Sequence, residues 1–177
     1  SLLEQVRSLA VDASAIVLSG SLPPGVPDDA YAQLGRAAGD RLVLLDTSGP
    51  ALLAGLAATP AVVKPNQAEL AELGASPESL LDGGAEAVVV SCGADGLTAV
   101  TGRGSWRARP PEVVTGNPTG AGDAVVAALA ASVTRDWPAR LRDAVALSAA
   151  TVLAPVAGEF DRAAYERFLP AVTVEEI

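Results

Sequence analysis

Thr119-Gly120-Ala121-Gly122-Asp123 is the stretch whose residue types and spacing best fit a chemical task. It follows a turn-forming Gly116-Asn117-Pro118 and opens a run of small residues, 124–131, that reads as a helix. Glycines at a helix N-terminus leave backbone N–H groups open to a ligand. The aligned peptide dipoles add partial positive charge there, which suits a phosphate oxygen. Asp123 falls in the first turn beside that seat. A carboxylate so placed can accept the proton of a substrate hydroxyl that attacks a phosphoryl group. The same residues also fit a plain tight turn followed by an acid-favouring helix start, and spacing alone leaves both readings open. The chain has no His and no other obvious base, which adds weight to Asp123.

Asn66 and Glu69 stand three apart at another expected helix start. An amide oxygen and a carboxylate on one edge suit a hydrated Mg²⁺, which is normally held by few protein groups. They equally form a capping box, with Asn66 as N-cap and Glu69 three positions on. In Ser91-Cys92-Gly93-Ala94-Asp95-Gly96 two glycines follow an apolar strand. This spacing permits close backbone approach to a nucleotide, and it equally suits a turn into a hairpin. Cys92 reads as a small buried residue and not as a nucleophile, because nothing basic lies nearby. Ser19-Gly20-Ser21-Leu22-Pro23-Pro24-Gly25 reads as a shaped, rigid loop, and Arg103, Arg107 and Arg109 as a solvated face.

The elements that must position these groups are legible from apolar runs and breakers. Apolar strands are expected at 15–18, 42–45, 61–63 and 87–90, each running into polar, Gly or Pro residues. Helices are expected at 2–10, from Asp28 and Asp29 to about 38, and at 50–57, 67–73 and 77–82. Residues 97–101 and 105–109 alternate around Gly102-Arg103-Gly104 and predict a β-hairpin. The last third predicts helices at 120–134, 138–153 and 161–168, with Pro138 at a helix start. Strand–helix alternation of this kind predicts an α/β fold: a mostly parallel sheet with helices on both faces, a hairpin and a helical C-terminus. With no repeat or low-complexity linker, residues 1–177 are expected to form a single domain. Ligands in such sheets gather beyond the carboxyl ends of the strands, where all these polar segments fall.

Composition narrows the function. Half of the 177 residues are apolar, 19% are charged and 3% are aromatic, which predicts a packed core of Ala, Val and Leu. The absence of His removes His triads, His bases and His metal ligands, and a single Cys removes an internal disulfide and a Cys-rich zinc site. That usage fits a reducing cytoplasm, and no apolar run has the length of a membrane span. A net charge of −9, with Lys64 the only lysine, argues against nucleic acid or anionic membrane as partner. Phosphate must then be met by backbone dipoles, a metal ion or a few arginines.

Taken together and in order, Ser-Gly-Ser-Leu-Pro-Pro-Gly, Lys-Pro-Asn-Gln-Ala-Glu-Leu, Ser-x-Gly-x-x-Gly and Thr-Gly-Ala-Gly-Asp resemble the ribokinase-like sugar kinases of the phosphofructokinase B family. The first two look most like the branch of 1-phosphofructokinase and tagatose-6-phosphate kinase. The resemblance implies a ribokinase-like fold, ATP and Mg²⁺ as cofactors, and roles for single residues. Asp123 matches the catalytic base, and the backbone of Gly120, Ala121 and Gly122 the anion hole. Asn66 and Glu69 match the motif that organises Mg²⁺ through water. Ser91, Gly93, Ala94, Asp95 and Gly96 match the ATP loop, with Gly122 and Ser148 on the nucleotide side near the adenine. Asn117-Pro118 departs from the Asp-Thr that opens the common signature.

The resemblance covers the family's carboxyl-terminal half, and the absence of Met at any position agrees with an expected amino-terminal sugar-binding and lid half outside this sequence. The expected activity is ATP-dependent phosphorylation of a hydroxyl on a sugar phosphate, a ketohexose phosphate by its branch. The isolated chain is expected to bind nucleotide at best, and a homodimer is left open for the longer protein. A non-catalytic nucleotide- or phosphate-binding module is the rival, against which an intact Asp123 argues.

Overall fold

Runs of β-branched and leucine side chains, too short for helices and bounded by Gly, Pro or Asp, become strands, and the amphipathic stretches between them become helices. The computed structural model describes residues 2–177. Its elements, in chain order, are α1 (Leu2–Ala10), β1 (Ala15–Ser19), α2 (Ala30–Ala37), β2 (Leu42–Asp46), α3 (Gly49–Gly55), β3 (Val62–Val63), α4 (Gln67–Leu73), α5 (Pro77–Asp82) and β4 (Ala87–Ser91). They continue through β5 (Leu97–Thr101), β6 (Gly104–Arg109), α6 (Ala121–Ala131), α7 (Trp137–Val152), α8 (Arg162–Phe168) and β7 (Thr173–Glu176). The strands form one seven-stranded mixed sheet in chain order. The alternating α/β architecture read from the sequence is thus the one observed. No helix among the described residues is long and apolar enough to cross a membrane.

The chain divides into two compact units, Ser1–Val90 with Val100–Arg103, and Ser91–Ala99 with Gly104–Ile177. In the first unit β1, β2, β3 and β4 pair in parallel, in a register that sets Ser19 beside Asp46 and Leu45 beside Val63. Val43, Leu44, Leu45, Val62, Val63, Val88 and Val89 are all buried, as strands of a parallel sheet must be when helices cover both faces. A Cβ placed on Gly35 of α2 would touch Ala58, Val43 and Leu18, and one on Gly55 of α3 would press into Leu45. These glycines let the two helices lie close against the face that carries Leu18, Val43 and Leu45.

In the second unit α6 and α7 pack on each other through small residues, with Val125, Ala128, Leu129, Ala144, Val145 and Ala146 buried. Asp136 caps α7, its Oδ1 accepting from the Ala139 amide at 2.9 Å, and Pro138 lies in the first turn. Asp161 caps α8 in the same way on Ala164. Two details differ from expectation. α6 stops at Ala131, not near 134, and Ser132 bonds back to the Ala128 carbonyl through Oγ at 2.6 Å. The chain also closes on a strand, β7, antiparallel to β6 with Trp106 opposite Glu176.

Candidate functional site

The start of α6 is built from α7 outward. Asn117 donates its amide to the Val152 carbonyl at 2.9 Å, at the last turn of α7. Gly116 lies so close to that carbonyl that a Cβ there would collide with it. Asn117 Oδ1 then accepts from the Thr119 amide at 3.0 Å, folding 117–119 into a tight Asx turn. Gly120 is the N-cap, at φ 87° and ψ −6°, a left-handed conformation that glycine adopts without strain.

No side chain caps α6. The Ala121 amide donates to the Pro118 carbonyl at 3.1 Å, and the Ala124 amide to Gly120 at 2.9 Å. Between them, the amides of Gly122 and Asp123 have no acceptor among the described residues. Gly120, Ala121 and Gly122 are half-buried and Asp123 is exposed. Two unclaimed N–H groups on the positive end of an 11-residue helix, with a solvent-facing carboxylate on the second of them, can hold an anion and take up a proton. Ser148 is half-buried on α7, one turn before Val152.

The loop after β4 has a separate setting in the same unit. Gly93–Asp95 make a short 3-10 turn, closed by the Cys92 amide on the Gly96 carbonyl at 2.9 Å. Gly96 sits at φ 87° and ψ −132°, and a Cβ there would strike the Ala108 carbonyl of β6. Gly93, Ala94 and Asp95 are exposed, so the turn offers backbone to solvent while Gly96 anchors it. Cys92 is half-buried and forms no disulfide. Arg109 pairs with Glu175 at 3.6 Å with both side chains about half exposed, in keeping with the solvated face expected of these arginines.

In the first unit, Asn66 and Glu69 form the reciprocal capping box of α4. The Glu69 amide donates to Asn66 Oδ1 and the Asn66 amide to Glu69 Oε2, both at 2.8 Å. That box fixes both side chains at the carboxyl end of β3 and leaves Glu69 Oε1 outside it. No group of three or more His, Cys, Asp or Glu able to hold a metal ion occurs among the described residues.

One feature of this edge escapes a reading by motif. Lys64 Nζ lies 3.1 Å from Asp46 Oδ1, with the side chains 8% and 16% exposed. Tyr31 donates its hydroxyl to the Gly20 carbonyl at 2.8 Å and to Ser19 at 3.2 Å, and the Gly20 amide donates to the Asp46 carbonyl. Burial, and then the negative charge of Asp46, push the Tyr31 hydroxyl above its ordinary pKa. The Thr47 hydroxyl is buried beside this pair with no hydrogen-bond partner. The signal in the sequence was the single lysine of the chain, placed at a strand end.

The pfkB family carbohydrate kinase profile matches residues 1–162. The chain belongs to the pfkB family. It is 45% identical over 139 residues to a 1-phosphofructokinase of Xanthomonas campestris pv. campestris, covering 68% of this chain and 43% of that protein. It is 42% identical over 157 residues to a 1-phosphofructokinase of Rhodobacter capsulatus, covering 79% of this chain and 50% of that protein. Among solved structures it superposes on phosphofructokinase-2 from Escherichia coli in complex with potassium with a TM-score of 0.84 at 30% identity, covering 96% of this chain and 60% of that one. The chain therefore spans about half the length of the curated pfkB relatives it matches.

Proposed function

We propose that this chain carries the phosphoryl-transfer machinery of an ATP-dependent pfkB-type kinase whose acceptor is a hydroxyl of a ketohexose phosphate. The observation that carries the reading is the start of α6: two amides without an intrachain acceptor, held by a left-handed Gly120, with Asp123 exposed beside them. Phosphoryl transfer asks a protein mainly for positioning and for stabilisation of charge. Asp123 takes the proton of the attacking hydroxyl, and the N–H groups of Gly120 and Gly122, with that of Asp123, stabilise the anionic oxygens. The Ala121 amide, engaged with Pro118, holds the turn in shape.

The exposed backbone of Gly93, Ala94 and Asp95, between Ser91 and Gly96, supplies the nucleotide loop, and Ser148 flanks the base. A hydrated Mg²⁺ fits Asn66 and Glu69 through water and through Glu69 Oε1, because the capping box engages Asn66 Oδ1 and Glu69 Oε2. When bound, such an ion supplies positive charge to polyphosphate oxygens. The names of the relatives, 1-phosphofructokinase, favour fructose 1-phosphate as the acceptor.

The test is Asp123→Asn, made in a kinase-active polypeptide that contains this chain and assayed by coupled ADP release with fructose 1-phosphate, fructose 6-phosphate and tagatose 6-phosphate. Turnover is expected to fall by roughly 10²–10⁴-fold, the scale of a general base, with ATP affinity by calorimetry little changed. Near-normal turnover in the variant overturns the role of Asp123. ATP binding without turnover in the unsubstituted polypeptide would instead favour a non-catalytic nucleotide-binding module. The 177-residue chain alone is expected to bind nucleotide with little or no sugar kinase activity.

A further inference from the structure

β1 breaks the rule that its neighbours obey. Val43, Leu44 and Leu45 of β2 are at most 4% exposed, whereas Val17 of β1 is 43% exposed and Ile16 is half-buried. β1 stands at one end of the strand order, so its outer edge pairs with no strand among the described residues. The Gly20 amide donates towards β2, to Asp46. Backbone groups of successive residues in a strand point to opposite sides, so Ile16 and Leu18 also face β2 while Ala15 and Val17 present N–H and C=O to the open edge.

The face of β1 bearing Leu18 is covered by α2, yet the opposite face, bearing Val17, leaves that side chain in solvent. Val17 is not isolated as an exposed apolar residue in this part of the first unit: Leu2 and Leu9 of α1, Val11, and Leu42 at the start of β2 are between 38% and 75% exposed.

Natural sheet edges are guarded against pairing by charge, proline, bulges or brevity. β7, at the other end of the strand order, is four residues long and carries the exposed Glu175 and Glu176. The β1 sequence, Ala-Ile-Val-Leu-Ser, has five residues, no charge and no proline. One edge of the sheet is guarded and the other is not.

We propose that the outer edge of β1 is a strand-addition site, filled by an extended apolar segment from the part of a pfkB-type kinase that these 177 residues do not span. The relatives carry about as much polypeptide again as this chain covers, which supplies the occupant. The incoming strand pairs with the outward groups of Ala15 and Val17, and the polypeptide attached to it covers Val17. This assignment stands on family membership and on the edge itself, and it is independent of the kinase reading above.

The experiment co-expresses the tagged chain with the portion of the Xanthomonas campestris relative that lies outside the matched segment. Complexes are sized by light scattering, and amide hydrogen exchange is followed at Ala15 and Val17. The expected result is a one-to-one complex in which both amides exchange at least about tenfold more slowly than in the chain alone. Val17→Pro removes the outward donor while leaving the β2 ladder in place, and Val17→Glu keeps the backbone and puts a carboxylate on the uncovered face. Each is expected to weaken the complex by at least about tenfold, a loss of roughly 1.4 kcal/mol, with the far-UV circular dichroism of the free chain unchanged. If Val17→Pro disturbs the fold, Val17→Glu decides. Absence of the complex, a complex whose Ala15 and Val17 amides still exchange freely, or one indifferent to both substitutions overturns the proposal. Protection that appears instead in a homodimer of this chain also overturns it, since the occupant is then a second copy.

Discussion

Lys64→Met should expose the energetic weight of the buried pair at the ends of β2 and β3. The 3.1 Å separation and the near-complete burial of Lys64 set the scale. At an effective dielectric of about 20, two unit charges at that distance attract by about 5 kcal/mol. Desolvation of both groups offsets much of this, so the pair itself adds little net stability. Removing one member is different, because the other stays buried without its counter-charge; that costs about 3–5 kcal/mol. Against a total stability of about 5–15 kcal/mol for a domain, the loss is large. Asp46→Asn should cost a comparable amount by stranding the ammonium. Together, Asp46→Asn and Lys64→Met should cost at least about 2 kcal/mol less than the sum of the singles, the signature of direct coupling. Equilibrium urea unfolding followed by far-UV circular dichroism measures all three, provided the slope with urea is unchanged. A single-variant loss below about 1 kcal/mol, or additivity within about 0.5 kcal/mol, would refute the reasoning and place the pair among screened surface ion pairs.

Both tyrosines of the chain titrate above the ordinary value of 10.0, Tyr31 through burial and Asp46, and Tyr165 through burial and its hydrogen bond to Asp143. The unfolded chain therefore releases these protons first as pH rises, so the stability they carry is whole below about pH 10 and is lost as pH climbs through the folded pKa values. Absorbance at 295 nm should show a native midpoint above that of the urea-unfolded chain; a native midpoint at or below it refutes the assignment. Gly96→Ala, at φ 87° and against the Ala108 carbonyl, should destabilise by at least about 2 kcal/mol. Gly93→Ala, at φ 58° with open space around it, should cost about 1 kcal/mol. Equal urea midpoints for the two variants would contradict this.

Much of the fold was legible because apolar runs and breakers are local signals. The strands β1, β2 and β4 and the helices α4, α5 and α8 fall within one residue of their expected bounds. β7 was not legible: Thr-Val-Glu-Glu has no apolar period of its own and becomes a strand by pairing with β6. The Asp46–Lys64 pair was hidden for a related reason, since it depends on the register that sets Leu45 beside Val63, and a sequence does not display register. At Asn66 and Glu69 the capping box, one of two readings of the spacing, is present in full. At 120–123 the glycines announced an open helix start, but Pro118 as acceptor for the Ala121 amide emerges only from the turn geometry.

The bond from Asn117 to Val152 makes the length of α7 a clock for the start of α6. Each residue added to or removed from α7 would swing the Val152 carbonyl by about 100° and move it by about 1.5 Å. Asn117 would lose its acceptor, Gly116 its close seat, and the two unclaimed amides their aim. Substitutions on the exposed side of α7 leave that phase alone. Insertions do not, and only a segment of about eleven residues, close to three whole turns, would bring the carbonyl back to the same bearing. In a family that tolerates changes of length elsewhere in its loops, this helix is one whose residue count is constrained by the orientation of a single carbonyl.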